Sequence, residues 1–312
     1  MLLSLGVSGD GGLPLRVGLR DGHRSDSVET PVAIAECVAL GLEGIRGIVA
    51  DSKAYSRRTL GVCLEQGIDL ITLVPRTCAV RQALEAWGQQ QAALPLLVEK
   101  PGRTKAEAPR RWHGHSVIRQ VEVEYSEARV APVALRFVVV HANQLARQQA
   151  QAYAVAHAKE TEAVADHVRQ VQDRWFACLP DAEAAIAAYE GQGQGRRGRR
   201  RHSWRYHTRR YGLVAATRPT RRTRRGRPAK TDPPPTESGY RLEVEVEVRT
   251  KAEEENGWLV RATTVDAAAC PDAEILHAYQ DQNTTVEPGF RWIKHPAAIA
   301  PVWLEKPARI AA

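Results

Sequence analysis

The sequence predicts an α/β protein with a mixed sheet, on three observations. Gly44-Ile45-Arg46-Gly47-Ile48-Val49-Ala50-Asp51-Ser52 is a short apolar strand that delivers a carboxylate where the chain turns, and a helical pattern follows over residues 56–66. Asp69-Leu70-Ile71-Thr72-Leu73-Val74 is a second buried strand, closed by Pro75 and followed by a helical pattern over residues 80–92. Much later, Gly257-Trp258-Leu259-Val260-Arg261-Ala262-Thr263-Thr264 reads as a strand returning to the same sheet. Strands alternating with helices in this way belong to α/β architectures, whose ligands bind outside the carboxyl ends of the strands. Asp51 stands at such an end. A solvated or helix-capping aspartate would be written in the same way, so position alone leaves both readings open.

Taken in order, Leu2 to Val7 and Leu15 to Leu19 are apolar runs joined by Ser8-Gly9-Asp10-Gly11-Gly12, turn chemistry that opens the chain with an antiparallel hairpin. Asp10 is a turn former there. Residues 21–27 are a polar loop, after which Thr30 as cap and Pro31 at the first helical position start a helix through Leu40. The strand ending at Asp51, its helix, the strand over residues 69–74 and the next helix follow. Residues 100–111 are rich in proline, glycine and charge and mark a boundary or exposed loop.

Val117 to Tyr125 alternates, with Val121, Val123 and Tyr125 on one face, and Pro132 to His141 is its nearly all-apolar partner strand. Leu145 to Cys178 has helical periodicity, and Pro180 restarts a helix that ends near Gly191. Tyr240 to Val248 alternates valine with glutamate as a half-exposed strand, and residues 273–279 are helical.

Charge is very unevenly placed. The 312 residues carry a net charge of +8, yet residues 191–230 hold fifteen Arg or Lys and no Asp or Glu, leaving 29 basic against 36 acidic residues elsewhere. Arg196, Arg197, Arg199, Arg200, Arg201, Arg205, Arg209, Arg210, Arg221, Arg222, Arg224, Arg225 and Arg227 interleave there with Trp204, Tyr206 and Tyr211. Guanidinium groups pair with phosphates and aromatic rings stack on bases, so the block suits a polyanion such as nucleic acid without specifying a base sequence. Its plainer alternative is a solvated surface loop. The five cysteines, Cys37, Cys63, Cys78, Cys178 and Cys270, have no metal-ligand spacing and read as reduced thiols of a cytoplasmic protein. No apolar run approaches the roughly 18 residues of a membrane span.

The second informative stretch is Tyr279-Gln280-Asp281-Gln282-Asn283-Thr284-Thr285-Val286-Glu287-Pro288-Gly289-Phe290-Arg291-Trp292-Ile293-Lys294. On a helix Glu287, Arg291 and Lys294 share one face, because spacings of four and seven return to nearly the same azimuth. Pro288 fits if the helix begins at Thr284 or Thr285, with Glu287 in its first turn. Carboxylates gathered from distant parts of a chain hold Mg²⁺ or Mn²⁺ pairs that activate water or a 3' hydroxyl at phosphorus. Surface capping is the alternative for Glu287.

On these residues the chain resembles the DDE-type transposases of bacterial insertion sequences, in the branch whose RNase H-like core is interrupted by a β-rich insertion. The resemblance covers nearly the whole chain. Val49-Ala50-Asp51-Ser52 and its helix look like the second aspartate of that family, and Tyr279, Gln282, Glu287 and Lys294 look like its tyrosine, arginine, glutamate and lysine signature. Gln282 replaces the arginine and stands one residue further from Glu287 than in the family pattern. The first aspartate, on the central first strand of the family's core, has no counterpart here, which implies a chain truncated at the N-terminus and, by the look of residues 303–312, at the C-terminus. The resemblance implies a core over residues 1–99 and 251–312 with an α+β insertion over 100–250. It also implies two Mg²⁺ or Mn²⁺ ions on Asp51, Glu287 and the absent aspartate, and phosphate contacts from Tyr279 and Lys294, with Gln282 at the place of the family's DNA-binding arginine; Arg291, on the same helix face as Lys294, is a further candidate phosphate contact, and the arginine-rich loop a nonspecific DNA surface. The expected activity is 3'-end cleavage and strand transfer between transposon ends and target DNA, by a homodimer at the nucleoid. For this chain an incomplete or inactive enzyme is expected. A noncatalytic DNA-binding remnant and a metal-dependent nuclease of the same fold are the alternatives.

Overall fold

A computed structural model describes residues 2–9, 14–20, 25–41, 46–102, 104, 107–126, 129–191, 204–220, 235–249 and 256–281. The chain divides into two compact units, residues 1–147 with 254–312, and residues 148–253.

The first unit holds a hairpin, β1 (Leu2–Val7) with β2 (Pro14–Arg20), paired antiparallel as a two-stranded sheet of its own. Helix α1 (Asp26–Ala39) follows. It starts earlier than the expected cap at Thr30, and Pro31 lies inside it. The upstream residues hold their helical turn through Glu29, which is buried near the Arg16 guanidinium of β2, while Arg16 Nε also donates to Glu36 Oε2 at 2.6 Å. The added turn closes on Ser25, whose carbonyl accepts from Val28 N–H at 3.0 Å and from Glu29 N–H at 3.1 Å.

The main sheet begins with β3 (Gly47–Ala50), α2 (Arg57–Glu65) and β4 (Asp69–Leu73), a parallel pair joined by a helix. Ser56 caps α2, its hydroxyl accepting from Thr59 N–H at 3.0 Å, as its residue type favours. After α3 (Ala79–Gln89) come β5 (Leu96–Lys100), β6 (Arg110–Glu124) and β7 (Val130–Ala142). The strand order β3-β4-β10-β7-β6-β5 is completed by β10 (Trp258–Thr263), inserted between β4 and β7 and antiparallel to both. The sheet is therefore mixed, as the sequence predicts. The boundary expected at residue 100 falls inside this sheet, because β5, β6 and β7 hydrogen-bond in sequence to one another and β7 to β10.

Strand β7 is buried on both faces, which explains the unbroken Phe137-Val138-Val139-Val140 run. On one face Leu60, Val62 and Cys63 of α2, Leu84 of α3 and Ile34 of α1 pack with Leu70, Phe137, Val139 and Val260. On the other, Ile275 from α6 (residues 272–281) packs on Ile71, Val138 and Val140. Gly61 lets α2 approach β6, since a Cβ there would stand 1.9 Å from the Glu124 carbonyl oxygen.

The second unit contains most of α4 (Asn143–Gln172), α5 (Leu179–Gly191) and the antiparallel ribbon of β8 (His207–Pro219) and β9 (Thr236–Val248). Val171, Ala182 and Leu242 form its core with Phe176, Ile186, Tyr189, Tyr211 and Leu213 around them. Strand β8 lies within the stretch expected to be a basic loop. Its inward residues Tyr211 and Leu213 face the helices, but arginines at Arg209 and Arg210 obscure the period of two in the sequence. No helix among the described residues is long and apolar enough to cross a membrane.

Candidate functional site

Strand β3 ends at Ala50, and Asp51 follows at its carboxyl end as an exposed residue. Its backbone is pinned by Thr72 of β4, whose buried hydroxyl donates to the Asp51 carbonyl at 2.6 Å. The carboxylate caps a short 3₁₀ turn over Ser52–Ala54, Oδ1 accepting from Lys53 N–H at 2.9 Å. Both readings of Asp51 thus have a physical basis. One oxygen serves the local turn, and the exposed carboxylate still stands outside the end of a parallel strand pair.

Tyr279 is brought to the same place from the far end of the chain. Helix α6 that carries it is set by Arg136 on β7, which donates through Nη1 to the Cys270 carbonyl at 2.8 Å and through Nη2 to Asp272 Oδ1 at 2.5 Å. These bonds fix the start of the helix, and the apolar contact of Ile275 with the sheet sets its path. At its last turn Tyr279 packs at the rim of the cluster that includes Ile71 and Val49, and the next residue, Gln280, accepts from Lys100 Nζ at 2.8 Å. Burial pushes the Tyr279 hydroxyl above its ordinary pKa; the Arg261 charge lowers it and the Asp51 charge raises it further. Asp51, Tyr279 and Arg261 therefore share one electrostatic neighbourhood.

Arg261 is a member of this neighbourhood that no motif in the sequence marks. It is 3% exposed, on a central strand, with its guanidinium carbon 4.9 Å from the Tyr279 ring centroid. Burial pulls its pKa down to about 10 despite the opposing effect of Tyr279. The one available signal is a lone arginine in the otherwise apolar run Trp258-Leu259-Val260-Arg261-Ala262.

Gln282, Glu287, Arg291 and Lys294 lie outside the described residues, as do Arg196, Arg197, Arg199, Arg200 and Arg201 and the run Arg221, Arg222, Arg224, Arg225 and Arg227. Among the described residues no three His, Cys, Asp or Glu side chains come together as a metal site. Asp51 supplies one hard oxygen ligand of the kind Mg²⁺ takes together with waters and substrate phosphate oxygens, and Glu287, the expected second ligand, lies outside the described residues.

Within the second unit, three of the expected DNA-contacting arginines are described and they differ. Arg209 is turned into the fold: its guanidinium lies 4.7 Å over Trp204, and Nη2 donates to the Tyr189 carbonyl at 3.3 Å. Arg205 is exposed, 5.5 Å over the Tyr206 ring, and Arg210 is exposed opposite Glu245. The outer face of the ribbon also presents Glu243, Glu245 and Glu247, which pair in register with Gly212, Arg210 and Thr208. Arg210, Arg218 and Arg241 are exposed on the same ribbon, which is therefore mixed in charge, and the cationic excess of this part of the sequence lies in the arginine runs on either side of β8. Glu160 of α4 anchors the start of β8, accepting from Arg205 N–H at 2.9 Å, Tyr206 N–H at 2.7 Å and His207 Nδ1 at 3.0 Å.

No protein-family model, no curated protein and no solved structure matches this chain.

Proposed function

We propose that this chain is a double-stranded-DNA-binding protein of the DDE transposase type, with an RNase H-like core of the kind that cuts at a 3' end and joins it to target DNA, and that its own strand-transfer activity is low or absent. The observation that supports the reading is that Tyr279, from the far end of the chain, packs on the cluster that includes Ile71 of β4 and Val49 of β3, close enough to the strand end for the Asp51 charge to act on its hydroxyl; the resemblance assigns both residues to one site. In this reading Asp51 and Glu287 would hold Mg²⁺ or Mn²⁺, which would activate a water or 3' hydroxyl and stabilise the leaving oxygen when bound. The chain's own groups do the rest. Tyr279, Gln282, Arg291 and Lys294 hold phosphates on either side of the reacting one, and the arginine runs around β8 bind the duplex without sequence preference. A homodimer would present two transposon ends together, at the nucleoid.

A second reading, a noncatalytic DNA-binding protein, is favoured by the capping bond from Lys53 N–H to Asp51, which gives that carboxylate a structural duty. A nuclease of the same fold would need no joining step. The deciding experiment incubates the purified chain with supercoiled plasmid in EDTA, Mg²⁺ or Mn²⁺, with Asp51→Asn beside it. The enzyme reading expects nicking that needs metal and is abolished in Asp51→Asn, with joined products separating transposase from nuclease. Binding without nicking in any metal favours the noncatalytic reading, and absence of DNA binding overturns both.

A further inference from the structure

Arg81, Arg136 and Arg261 lie buried on or against the main sheet, and their surroundings differ. Arg81 donates to the Val74 and Trp258 carbonyls at 2.7 and 3.1 Å and to Glu85 Oε1 at 2.7 Å. Arg136 has two carbonyls and the Asp272 carboxylate. Arg261 has neither. Its Nε and Nη1 are buried with no hydrogen-bond partner, and among the described residues no carboxylate lies within ion-pair distance. Its ladder neighbours are Leu73 and Val138, and Leu259 precedes it on the same face. An arginine keeps its charge in any environment, and leaving that charge buried and unpaired is unfavourable unless something anionic completes it.

The geometry also shows what covers the guanidinium. The Tyr279 ring lies over it at 4.9 Å, a cation–π contact that replaces part of the missing hydration. Tyr279 is itself half-buried and belongs to the last turn of α6, so its ring is the group that a ligand reaching the guanidinium would have to displace. A buried cation with unused donors beneath an aromatic cover forms a place where an oxyanion would sit.

We propose that Arg261 is the inner anchor of an oxyanion subsite, and that the group it takes is a phosphodiester of bound DNA, with Tyr279 as the cover that moves aside. The phosphodiester identity rests on the DNA-processing function proposed above; the oxyanion chemistry does not. A charge-assisted bond from one of the unused donors would hold the phosphate. Tyr279 then has two duties, shielding the cation when the subsite is empty and lining it when filled.

The test uses the full chain in two arms. In the first, inorganic phosphate is titrated into isotope-labelled wild type while the Arg261 Nε–H resonance, assigned by its disappearance in Arg261→Lys, is followed by NMR. A saturable shift is expected, tighter in Tyr279→Ala because the cover is gone. In the second, binding of a short fluorescent duplex is measured across salt concentration for wild type, Arg261→Met and Arg261→Lys. Arg261→Met should bind about tenfold more weakly, the worth of one charge-assisted contact, with a slope of log K against log salt shallower by about one, and Arg261→Lys should recover part of both. Should Arg261→Met not fold, the same resonance followed in wild type on adding duplex decides the matter. Duplex binding with an unmoved Arg261 resonance, or with unchanged affinity in Arg261→Met, overturns the subsite and leaves the DNA function standing. A shift with phosphate in a protein that does not bind duplex supports the oxyanion subsite and overturns the phosphodiester assignment together with the DNA function.

Discussion

Arg81 and Arg261 make a paired perturbation whose outcomes should differ in sign. Replacing Arg81 by methionine keeps most of the volume but strips the charged donor from the carbonyls of Val74 and Trp258 and from Glu85. Each buried acceptor left unsatisfied costs about 1–3 kcal/mol, and the partly exposed Glu85 contact adds less than about 1 kcal/mol. Methionine recovers about 1–2 kcal/mol through its apolar burial. The net destabilisation is about 3 kcal/mol. Replacing Arg261 by methionine breaks no bond at Nε or Nη1 and forfeits only the cation–π interaction with Tyr279, about 1 kcal/mol. It removes an unpaired buried charge, whose replacement by a well-packed apolar group is neutral or stabilising by about 1–4 kcal/mol. Urea unfolding of both variants beside wild type, with unchanged slopes, reads these differences directly. Arg81→Met should unfold at clearly lower denaturant, and Arg261→Met at the wild-type midpoint or above. The reverse order, or equal destabilisation, would refute the argument that Arg261 is an unsatisfied cation in this fold.

Four further outcomes follow from the same geometry. Gly61→Ala should destabilise by about 2 kcal/mol in thermal unfolding: helix propensity alone favours alanine by about 1 kcal/mol, but its Cβ would stand 1.9 Å from the Glu124 oxygen and force α2 away from β6. Asp51→Asn should keep the 3₁₀ cap and the stability while removing the charge, whereas Asp51→Ala should lower stability by about 1 kcal/mol as well, so only a functional role makes the two variants alike in a DNA-nicking assay. Burial pushes Glu160 up, but the hydrogen bonds from His207, Arg205 and Tyr206 outweigh it, leaving its folded pKa below the ordinary 4.5. Its stabilising contribution is therefore complete above about that pH and disappears as pH falls through the depressed value, to be seen as early amide exchange at Arg205 and Tyr206 in acid; exchange unchanged down to the global acid transition would contradict it. Replacing Arg196, Arg197, Arg199 and Arg200 by alanine should flatten the salt dependence of duplex binding by about 0.9 for each phosphate no longer neutralised. Arg209→Ala, by contrast, should lower stability with little change of that slope, because Arg209 is packed on Trp204.

Much of the candidate site is legible in the order of residues along the chain. The apolar run ending at Asp51, the strand over residues 69–74 and the returning strand over residues 257–264 announce themselves through local periodicity and turn residues, and each appears within a few residues of its expected place. Local signals also carry the second unit's helices and the alternating β9. Strand β8 is hidden because its alternation is written partly in arginine, whose long apolar stem packs inward at Arg209 and outward at Arg210 without changing the letter.

The sequence by itself determined that this is an α/β chain with an aspartate at a strand end and a concentrated cationic stretch. Those are properties of neighbouring residues, set by side-chain period, turn chemistry and charge count. Only the tertiary structure decided that β10 enters between β4 and β7, that β5 to β7 belong to the same sheet, and that Tyr279 comes to lie over Arg261 within reach of the charge on Asp51. Strand alternation tells which face of β10 Arg261 occupies. What stands across from it depends on sheet order and on the path of a helix fixed by Arg136, contacts between residues more than a hundred positions apart that no local pattern encodes.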